Sequence, residues 1–242
     1  MKLKNLIYLL LISSIFSIQT FAQGTILDEG ERIVEAESQD RLVVELTHDN
    51  WLFESDDEFI NMSDDFSTLW YSRGISINFM YDIVFGNSRF SLAPGIGFQS
   101  TNVFHNAQLS IDTNGNTFFT DLPEFDDFKR KKLNISYLDV PIELRFRTRP
   151  NQRGSSFKVA LGFKGGIRID SKTKIKFEQD GDVQRVKEKN LANLNQFRYG
   201  PTFRIGYGVF NLIAYYSLNG VFEEGSGPSL TPISIGLSLN GL

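Results

Sequence analysis

Apolar residues occupy every second position through most of the chain after residue 40. This alternation has the period of a β-strand, in which successive side chains point to opposite faces of a sheet. None of the alternating stretches is a continuous apolar run long enough for a membrane-spanning helix. The predicted strands cover residues 41–52, 72–86, 89–104, 133–148, 156–171, 195–208, 210–220 and 230–242.

The segments that connect these strands alternate strictly between long and short. The long connections are 53–71, 105–132, 172–194 and 221–229, and the short ones are 86–88, 150–155 and the bend at 208–209. In an up-and-down barrel this order places every long loop at one end and every tight turn at the other. Outer-membrane barrels have this asymmetry, with short periplasmic turns and longer external loops. The pattern predicts an all-β fold, an eight-stranded antiparallel up-and-down transmembrane β-barrel over residues 41–242.

The two faces of the predicted strands differ in size as well as in polarity. One face carries large apolar residues such as Phe79, Leu144 and Phe163, and the other carries glycine, alanine, serine and charged residues. A membrane barrel would turn the apolar face outward into lipid, whereas a soluble lipocalin-like barrel would turn it inward around a ligand. Glycine weakens a solvated strand, but in the narrow interior of an eight-stranded barrel it makes room for long side chains. We therefore expect the apolar face to contact outer-membrane lipid, with the soluble periplasmic ligand-binding barrel as the alternative.

Charged residues on the predicted inner face need partners, because an unpaired ion is costly away from water. We expect Asp82 and Glu143 to pair with arginine or lysine, so that ion pairs fill the interior and leave no open pore. A selective channel lined by arginine is the alternative function of the same residues. The candidates for these structural ion pairs are Asp82, Glu143, Arg145, Lys164, Arg168, Arg198 and Arg204.

Aromatic residues near the predicted strand ends suit the interfacial girdles of membrane barrels. The general preference of Phe and Tyr for strands is the simpler explanation of the same pattern. The residues expected in the girdles are Tyr71, Tyr137, Phe146, Phe157, Tyr199, Tyr207 and Phe222.

Two of the long connections carry a hairpin signal of their own. Alternating residues flank Asn114-Gly115 and Asp180-Gly181, and both dipeptides favour the tight primed turns of β-hairpins. We expect these hairpins to continue barrel strands beyond the membrane. Asp112, Asn114 and Asn116 resemble the start of a calcium loop, but the glycine comes two positions early and no distal glutamate follows. The acidic segments 53–66 and 121–132 are candidates for binding cations or a partner protein, and solvation alone also explains their charge.

The first 22 residues have the layout of an export signal. Lys2 and Lys4 precede an apolar stretch at 6–18, and Thr20-Phe21-Ala22 supplies a small-residue cleavage site. We expect a signal peptide at 1–22, cleaved after Ala22, and an acidic periplasmic lead-in at 23–40. A retained membrane anchor is the alternative.

Composition limits the other classes of function. The chain has no cysteine, and hence no disulfide or thiolate metal site, and its net charge of −4 disfavours nucleic acid as a partner. Neither His48 nor His105 has a plausible catalytic partner set, and no metal-ligand cluster or nucleotide fingerprint occurs. A rim enzyme built on Ser100 and His105 is the weakly supported alternative. We expect no enzymatic activity and no cofactor.

Four segments of the chain resemble the outer membrane β-barrel family of Bacteroidota, the PorT-like proteins. They are ISYLDVPIELRFR, FKVALGFKGGIRI, YGPTFRIGYG and PISIGLSLNGL. The most specific part is YLDVPIELRFR at 137–147, and the resemblance covers residues 70–242. It implies an eight-stranded barrel in the cell outer membrane that acts through external loops or other envelope proteins. For PorT itself, the family implies an accessory role in type IX secretion or gliding machinery. The family supplies no catalytic residues.

Overall fold

The computed structural model describes residues 42–53, 57–63, 65–121, 127–148, 155–179, 182–189 and 191–240, with the backbone alone at 127–130, 175–179 and 182–188. The predicted signal peptide at 1–22 and the lead-in at 23–40 lie outside these residues. Within the described residues, no helix has the length and apolar character needed to span a membrane.

Eight strands close into an antiparallel barrel. The ring runs β1-β3-β5-β8-β9-β11-β12-β13 and returns to β1, so sequential barrel strands are neighbours throughout. This confirms the predicted fold. The strands of the described residues are β1 Leu42–Leu52, β2 Ile60–Asn61, β3 Arg73–Met80, β4 Ile83–Val84, β5 Phe90–Phe104, β6 Gln108–Ile111, β7 Thr117–Thr120, β8 Asp127–Arg147, β9 Phe157–Gln179, β10 Asp182–Lys189, β11 Phe197–Tyr207, β12 Phe210–Tyr216 and β13 Thr231–Asn240.

The long connections contain more strand than the alternation predicts. β8 begins at Asp127 and β9 ends at Gln179, and β10 pairs with the extension of β9. The paired strands on either side of Asp180-Gly181 therefore continue a barrel strand, as expected, and the two turn residues themselves lie outside the described residues. The hairpin around Asn114-Gly115 does not, because its strands β6 and β7 join β2 in a separate three-stranded sheet.

The apolar face of the barrel strands points outward. Phe79, Leu144 and Phe163 are 61%, 46% and 48% exposed, whereas Arg145 and Lys164 are 3% and 4% exposed. A soluble ligand-binding barrel requires the reverse arrangement, so that alternative is wrong. The outward residues form the apolar belt that an outer-membrane barrel presents to lipid.

Two residues expected in the aromatic girdles lie inside the protein. Tyr137 and Phe222 are 6% and 4% exposed. Tyr137 is two positions before Asp139, so the two side chains share the inward face of β8. Phe222 packs in the connection before β13. In contrast, Tyr199 and Tyr207 are exposed, as a girdle requires.

A hydrophobic cluster occupies the barrel at its long-loop end. Inward residues near the ends of three barrel strands, Trp51, Val103 and Leu133, pack against residues of the long connections. The interior is thus polar toward the short turns and apolar toward the long loops. The buried members of this cluster are Trp51, Phe66, Val103, Ala107, Phe119, Leu133, Ile135, Tyr137, Leu191, Leu194, Val221, Phe222 and Leu230.

Candidate functional site

The polar part of the barrel interior contains a network centred on Arg204 of β11. One guanidinium nitrogen of Arg204 lies 2.8 Å from Glu143 of β8 and 2.7 Å from Glu45 of β1. Another donates to Asn240 Oδ1 at 3.1 Å. Because β1, β8 and β11 are not neighbours in the ring, these bonds cross the lumen and do not follow its wall.

Glu143 also connects this centre to the short-turn end. Its second carboxylate oxygen lies 2.8 Å from Arg145 Nε, and Arg145 Nη1 lies 2.9 Å from Asp82. Arg147 contacts the other oxygen of Asp82. Both oxygens of each carboxylate therefore face a guanidinium group, which is the satisfied geometry that buried charges require.

A second network lies closer to the hydrophobic cluster. Arg198 of β11 contacts Asp139 of β8 with Nη2 at 2.5 Å and Nε at 3.2 Å, and it donates to Gln99 Oε1 at 2.9 Å. Its guanidinium carbon lies 3.8 Å from the ring centre of Tyr137, a cation–π contact. This network therefore reaches the apolar cluster through Tyr137.

Lys164 and Arg168, both candidates for ion pairs, contact neutral oxygens. Lys164 Nζ donates to Gln99 Oε1 at 2.8 Å and lies 4.4 Å from the ring centre of Tyr215. Arg168 donates to the carbonyl oxygens of Leu194 and Asn195 at 3.1 and 3.2 Å. In the described part of the chain, neither cation has a carboxylate within ion-pair distance. Arg168 lies beside the register shift of β8 and β9, where its side chain reaches the following connection.

Glycines make the ion pairs possible. Asp139 and Arg198 are both direct cross-strand partners of Gly166 in the strand between them, so the pair closes over a residue without a side chain. A Cβ at Gly166 would collide with the Asp139 carboxylate, and a Cβ at Gly162 would lie 2.5 Å from Thr202 Oγ1 and 2.8 Å from Glu143 Cγ. The inward glycines therefore occupy the positions that neighbouring long side chains cross.

Sequence reasoning missed two members of the networks, Glu45 and Gln99. Both are almost completely buried. Each follows the alternation of its strand, since Leu46 and Phe98 beside them point outward. Parity alone would therefore have placed both side chains in the lumen.

The two histidines and the calcium-like turn make their contacts with neighbouring residues of the protein. His48 is bonded to the Ser72 carbonyl oxygen at 2.9 Å, and His105 is buried and stacked on Phe119. Ser100 lies on the outer face, where its hydroxyl accepts a hydrogen bond from Asn134. Asp112 accepts bonds from the backbone of its own turn. The described residues include no group of three or more acidic or histidine side chains that could hold a metal ion.

A closed eight-stranded barrel with an apolar outer face and charged side chains inside has the architecture of an integral outer-membrane protein. The chain belongs to the outer membrane protein beta-barrel domain family, whose model matches residues 48–223. Family membership supports a location in the outer membrane.

A solved structure is also similar to this chain. The chain is similar to Ail, the attachment invasion locus protein of Yersinia pestis, in complex with the heparin analogue sucrose octasulfate. The two are 13% identical, the alignment covers 82% of this chain and 94% of that chain, and the TM-score is 0.33. No curated protein matches the sequence.

Proposed function

We propose that this protein is a small integral outer-membrane barrel whose interior is closed to solutes. It acts structurally or through its long-loop end and other envelope proteins, and it performs no catalysis. The observation that carries this proposal is the set of charged bonds that cross the lumen between strands that are not neighbours.

The first barrier to a solute is the ion-pair network itself. Arg204 connects β11 to Glu45 on one side and to Glu143 on the other, and Arg145 extends the connection to Asp82. An eight-stranded barrel has an interior just wide enough for side chains to fill. A cavity beside Arg145 and Arg204 has a volume of about 10 Å³, and another between Arg198 and the hydrophobic cluster has a volume of about 20 Å³, so each has room for a single water molecule.

The second barrier is the hydrophobic cluster above the network. Trp51, Phe119 and Leu133 are almost completely buried there, so an ion leaving the polar layer would have to shed its water. A selective channel needs charged groups along a water-filled path. Here the guanidinium groups form ion pairs with buried carboxylates. This arrangement favours a filled interior over a conducting channel.

Single-channel recording tests this proposal. The purified protein is reconstituted into a planar lipid bilayer, with insertion verified by protease protection and a general porin as the positive control for the recording. We expect the baseline conductance of a protein-free membrane. A large, stable conductance from the inserted wild-type protein would refute the closed interior.

An accessory role in type IX secretion or gliding is the second candidate. The segment at 137–147, which resembles PorT-like proteins, is the observation that favours it. Deleting the gene and comparing the secreted proteins with those of the parent strain separates this role from a purely structural one.

A further inference from the structure

A row of polar and cationic residues lies on the outer surface of the barrel, just above the apolar belt. Cross-strand pairing aligns Arg73 of β3, Asn102 of β5, Asn134 of β8, Lys172 of β9 and Lys189 of β10. We call these five residues, with Lys132 and Lys174 of the next row, the basic row.

The basic row faces outward and lies at the level of lipid headgroups. Arg73 shares the outward face of β3 with Ile75 and Ile77, both exposed. It is two residues beyond Ile75, the last apolar outward residue of that strand. Two residues rise about 6.6 Å, or about 5 Å along the membrane normal for a strand tilted by about 40°. Arg73 is therefore placed directly above the hydrocarbon boundary, and the cross-strand pairing continues the row from there toward the long-loop end.

The cations of the basic row are crowded together. Lys132 and Lys174 are direct cross-strand partners, an arrangement that is unfavourable for like charges. Partial burial lowers the pKa of Lys132, and Lys174, Arg73 and Lys172 lower it further in that order. Asp170 offsets part of this charge, because its carboxylate lies 2.8 Å from Lys172. An external anion would relieve the remaining repulsion.

Between the cations the surface is formed by small polar side chains. Asn134 donates to Ser100 Oγ at 3.0 Å and to Asn102 Oδ1 at 3.2 Å, and Lys132 donates to Asn102 at 2.7 Å. Asn134 is 4% exposed, and its Oδ1 accepts no hydrogen bond from the described residues. The Asn134 amide therefore acts as a hydrogen-bond donor that holds the polar side chains of the row together.

We propose that the basic row binds the phosphorylated saccharide headgroup of a glycolipid in the leaflet at the long-loop end. Lysine and arginine would bind the phosphates, and the asparagine and serine side chains would bind sugar hydroxyls. Arg73 and Lys172 are three interstrand spacings apart, about 14 Å, which is comparable to a disaccharide with a phosphate at each end. The proposal requires the barrel to lie in a membrane, but it does not depend on a closed interior.

Lipid binding by the detergent-folded full-length protein tests the proposal. Native mass spectrometry measures the affinity for a bisphosphorylated diglucosamine lipid and for the same lipid without phosphates. We expect wild type to prefer the phosphorylated lipid at least tenfold, and Arg73→Gln to weaken that preference about threefold or more. The matched control is Arg89→Gln, an exposed arginine near the short turn before β5, and we expect it to bind as wild type does.

Three results would overturn the proposal. They are equal affinity of wild type for the two lipids, an equal loss in Arg73→Gln and Arg89→Gln, and binding of inorganic pyrophosphate as tightly as of the lipid. The last result would assign the site to a free anion. A triple variant, R73Q/K132Q/K174Q, should abolish the preference for phosphate. Heat-modifiable gel mobility verifies that each variant is folded, and if the triple variant fails to fold, the matched single variants decide.

Discussion

Two adjacent glycines of β9 test the claim that glycine makes room for ions inside the barrel. Gly166 points into the lumen, where it lies between Asp139 and Arg198. Gly165 points to the outer face, and a Cβ added there would have no atom within 4 Å. Replacing each glycine by alanine therefore adds the same methyl group to opposite faces of one strand.

The structure determines the expected size of the difference. A Cβ at Gly166 would collide with the carboxylate of Asp139, which is completely buried, and would lie 3.3 Å from Arg198 Nε. Overpacking costs about 1–3 kcal/mol, and loss of the ion pair costs about 3–5 kcal/mol. Gly165→Ala should gain about 0.4–1 kcal/mol, because it restricts the unfolded chain. The two variants should therefore differ by between about 1.5 and about 6 kcal/mol in free energy of unfolding.

Urea unfolding of protein folded into lipid vesicles measures this difference, with tryptophan fluorescence as the signal. Gly165→Ala is the control, since it matches the chemical change and the position along the strand. Equal stabilities within about 0.5 kcal/mol, the usual effect of a surface substitution, would refute the reasoning. A less stable Gly165→Ala variant would show that the wrong face had been assigned to the lumen.

The same measurement tests two further expectations. Asp139→Leu should cost about 3–5 kcal/mol, because it leaves Arg198 buried and unpaired. The double variant D139L/R198M should recover most of this cost, and a single-variant cost below about 1 kcal/mol would contradict the pairing. Burial, followed by the charge of Lys131, lowers the pKa of His105 from 6.5 to about 4. Between these values the unfolded chain binds a proton that the folded protein does not, so stability should fall by about 3 kcal/mol as the pH drops from 6.5 to 4. His105→Phe should remove this loss, and equal pH dependence in the two proteins would contradict it.

The alternation of apolar residues was sufficient to predict the barrel. It gave the eight strands and their order, because a strand with lipid on one side and a packed lumen on the other must alternate. Glycine beside arginine on one face, as in Gly166 and Arg168, also favoured the correct orientation. Beyond the membrane the alternation was only partly informative. It indicated the strands on either side of Asp180-Gly181, which continue β9, but it did not indicate that β8 begins as early as Asp127. Outward residues there such as Lys132 and Asn134 are polar, and a polar outer face has no apolar period to detect.

The apolar cluster at the long-loop end was not predicted, for a related reason. Phe66, Phe119 and Leu194 lie in connections whose sequences are charged or lack a regular apolar period. They find partners only because the barrel holds those connections over its open end. Parity would have placed Tyr137 among them, since it shares a face with Asp139. Its assignment to the girdle relied on its position near the strand end, which says nothing about the direction of a side chain.

The choice of ionic partners depends on strand register, which composition and period leave open. Arg204 and Glu45 are 159 residues apart in sequence, and only the closure of the barrel brings them together. Once the register is known, the chemistry becomes local. Asp139, Gly166 and Arg198 lie side by side on three consecutive strands, and a long cation reaches the acid two strands away across the glycine between them. An inward glycine flanked by an acid and a base on its two neighbours is therefore the pattern that links sequence to this interior. Lys164 lies beside Pro141 and Gly200, and Arg168 lies beside Tyr137, so no adjacent strand position supplies a carboxylate to either cation.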